Sequence, residues 1–201
     1  MAIRIYTTVE WGALPVSKTF SKLPAKGIVI HNTGGGAGDN RPPKAGDAEK
    51  QLAFAKARAI QADHMDSPKK RWADSGQHFL VSRGGIIMES RHGTLNAANK
   101  GLVVQGAHAG SAVFNNSWFG IENEGNYTLT NVVPTQEWEA LIELCAWLAW
   151  KGKFDTQNII GHQDIKRKPN GDVATDCPGI LEERLQALRQ AAHDKKLELM
   201  G

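Results

Sequence analysis

The sequence predicts a mixed α/β fold: a single mixed central β-sheet with helices packed on it. Three observations carry this. Short runs rich in β-branched or aromatic residues, at 27–31 (G-I-V-I-H), 119–124 (F-G-I-E-N-E) and 158–160, read as strands. Longer segments at about 48–64, 136–151 and from 178 onward space apolar residues by three and four, the helical period. Strands and helices alternate along the chain, as expected of a sheet with helices laid on it. The 201 residues suffice for one domain with a real core, so 1–201 is read as a single domain.

Each element follows in order. Residues 1–25 read as an extended arm with a turn at Trp11-Gly12. The 27–31 strand is short and buried, and it ends on His31. The next stretch, T-G-G-G-A-G-D-N-R-P-P, cannot hold a helix or a central strand and is a loop. Asp47 is the expected N-cap of the 48–64 helix, with Leu52, Ala55, Ala59 and Ala62 as its apolar face. S-P-K-K breaks that helix. Residues 77–82 and 85–90 flank Arg83-Gly84 and form a β-hairpin. A Gly- and Asn-rich loop then leads to the 119–124 strand. Thr135 is the expected cap of the 136–151 helix, which puts Trp138, Leu141, Ile142, Cys145, Leu148 and Ala149 on one face. The 158–160 strand runs into Gly161-His162. Pro178 starts a last helix, 178–193, with Leu181, Leu185, Leu188 and Ala192 aligned. The charged tail from about His193 is expected to fray.

Composition narrows the partners. Hydrophobic residues are 41% and charged residues 22%, ordinary for a soluble globular protein. No apolar run is long enough to cross a bilayer, so no membrane insertion is expected. The start, M-A-I-R-I-Y-T-T-V-E, lacks the apolar core of a secretory signal. The chain is therefore expected to be cytoplasmic as synthesised, with any site of action outside the cell reached by release or another export route. A net charge of +3 without a dense Lys/Arg stripe argues against nucleic acid as a partner. Cys145 falls among bulky apolar helix residues and reads as a buried free thiol, so no disulfide with Cys177 is expected. A monomer is expected.

The chemistry concentrates in three residues. His31 ends the first strand, His162 follows the last one in I-I-G-H-Q-D-I, and Cys177 lies in T-D-C-P-G. Two imidazoles and a thiolate suit Zn²⁺, one per chain. Three protein ligands leave the fourth tetrahedral position open, the catalytic rather than the structural pattern.

Five segments together resemble the zinc-dependent N-acetylmuramoyl-L-alanine amidases, the family that also includes peptidoglycan recognition proteins. They are V-E-W-G-A (9–13), I-V-I-H-N-T (28–33), the 59–85 stretch with R-W-A-D-S-G-Q-H-F-L-V-S-R-G-G, the 106–125 stretch G-A-H-A-G-S-A-V-F-N-N-S-W-F-G-I-E-N-E-G, and G-H-Q-D-I with D-C-P-G. The match spans about 9–179. The resemblance implies the amidase fold, ligation by His31, His162 and Cys177, and hydrolysis of the amide between the lactyl group of N-acetylmuramic acid and L-Ala of the stem peptide. Its substrate would be peptidoglycan or a muropeptide. The alternative is a non-catalytic recognition module for the same ligands; such members typically lose a ligand, often the Cys, which this chain keeps.

The same resemblance assigns the remaining roles. Glu122 matches the acid/base Glu of the recycling amidases, and Glu124, two residues on, is the fallback. Gln77 stands where another branch has a Tyr, and Gln cannot accept and return a proton. Thr175, two before the Cys, is a candidate oxyanion donor. Asn32 and His108 are expected to line the cleft and bind substrate, and Asn115 matches an Asn of the substrate loop. His78 is expected to pack, His64 to be structural, and Trp118 to narrow the cleft or add a stacking surface. K-R-K-P-N-G-D-V-A (166–174) lengthens the His-to-Cys spacing beyond the usual, which a loop tolerates because closure entropy grows slowly with length.

Overall fold

The computed structural model describes residues 3–35, 37–167 and 173–201. Among these, the strands are β1 (Ile5–Tyr6), β2 (Lys22–Pro24), β3 (Gly27–Asn32), β4 (Phe79–Val81), β5 (Ile87–Glu89), β6 (Leu102–Val104), β7 (Trp118–Asn123) and β8 (Ile159–Gly161). The helices are α1 (Thr8–Trp11), α2 (Gly46–Asp66), α3 (Thr94–Ala98), α4 (Ala112–Ser117), α5 (Thr135–Gly152), α6 (His162–Ile165) and α7 (Leu185–Met200). Six strands form one mixed sheet in the order β1-β5-β4-β7-β3-β8, and β2 pairs with β6 in a separate ribbon. Strands β4, β7, β3 and β8 run parallel to one another; β5 is antiparallel to β4, and β1 is parallel to β5.

Side chains alternate across a strand, so the register sorts the sheet into two faces. Ile28, Ile30, Phe79, Val81, Phe119 and Ile121 lie on one face in the main core, packed with α5 and α7. The other face carries Val29, His31, Leu80, Gly120 and Glu122, with His31 beside Glu122 and Glu122 beside Leu80 in register. There α2 and α1 cover only the β4–β5 side, through Ala53, Ala57 and Trp11 against Leu80 and Met88. The C-terminal ends of β7, β3 and β8 on that face are left for the functional residues.

Several local expectations are corrected. The arm is not simply extended: α1 is a one-turn helix with a Thr7/Glu10 capping box, and Gly12 closes it at φ 74°. Helix α2 begins at Gly46 with no side-chain cap; Asp47 sits inside the first turn and accepts from Lys50 at 2.6 Å. Its buried stripe is Glu49, Ala53, Ala57 and Gln61, and Leu52 is exposed. The two polar residues can be inside because each finds a partner: Glu49 meets Arg41 at 2.8 Å, and Gln61 donates to Asp74 at 2.8 Å. Thr135 is the first helical residue of α5, after Pro134, rather than its cap. The 33–43 loop contains a 3₁₀ turn, Ala37–Asn40, and the region before β7 contains α3, β6 and α4. After Pro178 comes a 3₁₀ turn, Gly179–Leu181; the helix proper starts at Leu185 and continues to Met200. Its end is anchored: Lys196 donates to Phe154 O at 2.9 Å, and Leu199 packs on the main core. Leu181, Leu185, Leu188 and Ala192 are buried, as the spacing predicts.

Candidate metal centre

Three adjacent parallel strands deliver the site. Glu122 lies near the end of β7, His31 near the end of β3, and His162 directly after β8. Strand ends of this kind are where open α/β sheets gather ligands. His162 is the first residue of α6, which is pinned by the Gly161 N–H donating to Asp164 Oδ2 at 3.0 Å. Cys177 reaches the same point from the following loop. Residues 168–172 of the 166–174 insertion lie outside the described residues. The insertion's neck is closed by an Arg167–Val173 bridge and by Ala174 N–H donating to Lys166 O at 3.3 Å, so the extra length returns to where it left.

The candidate ligand atoms of His31, His162 and Cys177 all lie within 4.8 Å of one another. His31 Nδ1 is 3.7 Å from Cys177 Sγ, and the two imidazole centroids are 4.5 Å apart. A tetrahedral Zn²⁺ with bonds near ~2.0–2.3 Å separates its ligands by about 3.5 Å, so the set fits with small adjustment. His162 Nε2 is buried and has no hydrogen-bond partner among the described residues, as a nitrogen awaiting a metal would be. Burial, then the His108 and His162 charges, hold His31 well below its ordinary pKa. Burial and the Lys166 ammonium lower His162. Both imidazoles are therefore neutral, the form a metal takes. Burial, then the Glu122 charge, push the Cys177 thiol up to about 12, while the Asn32 N–H donates to Sγ at 3.4 Å. A bound cation is what would make that sulfur a thiolate.

Glu122 is partly buried beside this set. Burial raises its carboxyl to about 8, against the Lys70 ammonium, which lowers it. It borders a cleft of about 260 Å³ with Thr33, Lys56, Asp63, His64 and Lys70. Glu124 is committed elsewhere. Arg41 donates to both its oxygens, at 3.0 and 2.8 Å, and to both oxygens of Glu49, at 2.8 Å each. Of the two glutamates on β7 and its extension, only Glu122 faces the cleft.

The other expected residues fall as follows. Thr175 Oγ1 accepts the Cys177 N–H at 3.2 Å, which leaves its own O–H to donate. Asn32 is buried, and its side-chain Nδ2 has no partner among the described residues. Asn115 Oδ1 accepts from the His108 and Ala109 N–H groups, at 2.9 and 2.8 Å, and so holds the loop over the ligands. His108 uses both ring nitrogens inside the protein, on His31 at 3.0 Å and on Trp118 O at 3.2 Å, which leaves neither for substrate. His78 packs as expected, and His64 Nδ1 accepts the Gly76 N–H at 3.1 Å while its ring borders the cleft. Trp118 does not narrow the cleft. It starts β7 opposite Gly27, packs on Phe114 and is separated from Glu122 by Gly120. Both cysteines are free. Sequence reasoning missed Arg41, which sits in a loop without periodicity, and Asn123, whose Nδ2 donates to His31 O at 2.8 Å.

Comparison with known proteins agrees with this geometry. The family description N-acetylmuramoyl-L-alanine amidase matches residues 21–180, from just before β2 to the 3₁₀ turn after Cys177. Peptidoglycan-recognition protein SC2 of Drosophila simulans is 29% identical over 181 residues, 89% of this chain and 82% of that protein. Peptidoglycan recognition protein 1 of Bos taurus is 30% identical over 192 residues, 94% of this chain and 84% of that one. Among solved structures, wild-type Drosophila PGRP-LB matches with a TM-score of 0.68 and 24% identity, covering 92% of this chain and 93% of that one. Drosophila PGRP-SD matches with 0.69 and 23%, covering 92% and 94%. The last two speak for the fold; the family match over residues 21–180 shows that the chain belongs to the N-acetylmuramoyl-L-alanine amidase family.

Proposed function

We propose that this protein is a zinc-dependent amidase that hydrolyses the bond between the lactyl group of N-acetylmuramic acid and the first L-Ala of the stem peptide. The observation that carries it is the convergence of His31, His162 and Cys177 with Glu122 in register beside them. Zinc, when bound there, supplies Lewis-acid polarisation of a carbonyl and acidifies water. The chain's own residues do the rest. Glu122, the carboxyl group beside His31 in register and facing the cleft, is placed to take a proton from attacking water and return it to the leaving amine. The Thr175 O–H is available to donate to the carbonyl oxygen as it gains charge. The cleft beside Glu122 receives the peptide portion; Lys56 and Lys70 line it, each paired with an aspartate, Asp39 and Asp63.

A second reading is a muropeptide recognition module. The names of the relatives favour it, as does Gln77, whose amide cannot accept and return a proton where one family branch has Tyr. Solved neighbours are described in complex with tracheal cytotoxin, among them peptidoglycan recognition protein-LE and a point mutant of Drosophila PGRP-LB. The deciding experiment gives zinc-loaded protein intact sacculi and soluble anhydro-muropeptides, then weighs the products. Free stem peptides beginning with L-Ala support the amidase. Retention of muropeptide without any mass change supports recognition.

A further inference from the structure

With neutral imidazoles, the histidine cluster behind the ligands has one consistent set of hydrogen positions. His108 Nε2 lies 3.2 Å from Trp118 O, a carbonyl, so Nε2 carries the proton and donates. His108 Nδ1 is then a lone pair. It lies 3.0 Å from His31 Nε2, which must therefore carry a proton and donate to it. That leaves the His31 lone pair on Nδ1, the nitrogen 3.7 Å from Cys177 Sγ. His78 repeats the pattern one layer back: its Nε2 is 2.6 Å from Val104 O, and its Nδ1 accepts the Gly120 N–H at 2.8 Å.

The sheet is built to hold the His108 ring there. A Cβ on Gly120 would stand 2.5 Å from His108 Cγ, and one on Gly106 would stand 3.0 Å from its Cδ2. Asn115 fixes the backbone at His108 and Ala109 from the other side. No other acceptor for His31 Nε2 is found among the described residues.

We infer that His108 is a positioning residue for zinc: by accepting the His31 Nε2–H it locks the His31 tautomer and ring angle so that Nδ1 faces the metal. It acts through His31 and touches neither substrate nor metal. This rests on the zinc reading above. Outer groups of this kind commonly change metal affinity by ~10–100-fold. Asn places an oxygen acceptor close to where His Nδ1 sits, whereas Leu keeps bulk and offers no acceptor.

The test measures zinc affinity by chelator competition for wild type, His108→Leu and His108→Asn. Melting of each metal-free protein serves as the fold control, and KM is measured at saturating zinc. Expected are a ~10–100-fold weaker zinc affinity for Leu, recovery to within about threefold of wild type for Asn, and unchanged KM in both. In the Leu variant loaded with Co²⁺, the visible spectrum should show altered histidine ligation. Unchanged zinc affinity in Leu overturns the inference, as does equal weakening in Leu and Asn, which would mean packing alone matters. A KM change with normal zinc affinity would make His108 a substrate contact and also overturn it. Should the Leu variant not fold, Asn decides by itself: a loss above about tenfold sinks the inference. Failure of wild type to bind zinc at all would remove the amidase reading first, and this inference with it.

Discussion

Arg41→Met should destabilise the protein by several kcal/mol, because Arg41 is the cation that bridges two buried carboxylates. The side chains of Glu49 and Glu124 are each 2% exposed, and four of the Arg41 hydrogen bonds go to them. Breaking a buried pair from one side typically costs ~3–5 kcal/mol, since a desolvated charge is left behind. The Glu49 ionisation gives a second figure, which belongs to all the groups that hold its carboxylate and not to Arg41 alone. Burial raises its pKa, but the Arg41 guanidinium, then the Lys44 N–H, the Ser82 hydroxyl and the Gly84 N–H, overcome that and hold it at about 2 rather than 4.5. That lowering is worth about 3 kcal/mol of folding stability. The folded value lies below the ordinary one, so the contribution is complete above pH 4.5 and fades as pH falls toward 2. Urea unfolding at pH 7 and at steps down to pH 3 measures both effects. Met should lower the midpoint at pH 7 and flatten the acid limb, with the urea slope unchanged. A loss below about 1 kcal/mol at pH 7 would refute the assignment, since it would put the pair in the range of exposed salt bridges.

Other expectations follow from the site. Glu122→Gln should lower kcat by ~10²–10⁴ with zinc retained, while Gln77→Ala costs about tenfold at most; near-native turnover in the first would show that another group moves the proton. Cys177→Ser and His162→Ala should each fall well below one zinc per chain by metal analysis, and full occupancy with unchanged activity in either would remove the ligand set. Thiol titration of denatured, unreduced protein should find two free thiols, Cys145 and Cys177; finding none would contradict the unpaired cysteines described above. Gly120→Ala should destabilise by ~1–3 kcal/mol and weaken zinc binding, because the His108 ring it meets is tethered on both nitrogens; an unaltered melting temperature would show that the ring can yield.

Much of the site is legible in the sequence because its residues stand at the ends of apolar strands. The runs before His31, Glu122 and His162 announce both the strand and the residue it delivers. What misleads are positions whose burial depends on distant partners. The α2 face is misread by one or two residues, because Glu49 and Gln61 look like solvent-facing residues until Arg41 and Asp74 are brought to them. Asp47 and Thr135 have cap chemistry, but the chain enters each helix one residue or more earlier. The family resemblance sets His108 among the substrate contacts. Its partners, His31 and Trp118, declare themselves only after β3 and β7 pair. The short α3, β6 and α4 carry too few residues to show a period.

The strand ends that meet at the metal centre come from widely separated parts of the chain. Asn123 binds His31 across 92 residues, and Cys177 faces it across 146. No piece of the sequence shorter than 31–177 contains all three candidate ligands. Parallel pairings over such separations form late, since chain closure precedes any reward for contact. During synthesis, the ligand set cannot close until Cys177 has left the ribosome, by which point nearly all of the sheet and α5 have been made. A single proteolytic cut that releases either end would separate ligands rather than trim an accessory. Assembly of His31, His162 and Cys177 is thus tied to completion of the whole fold, and it marks the last step of folding rather than an early one.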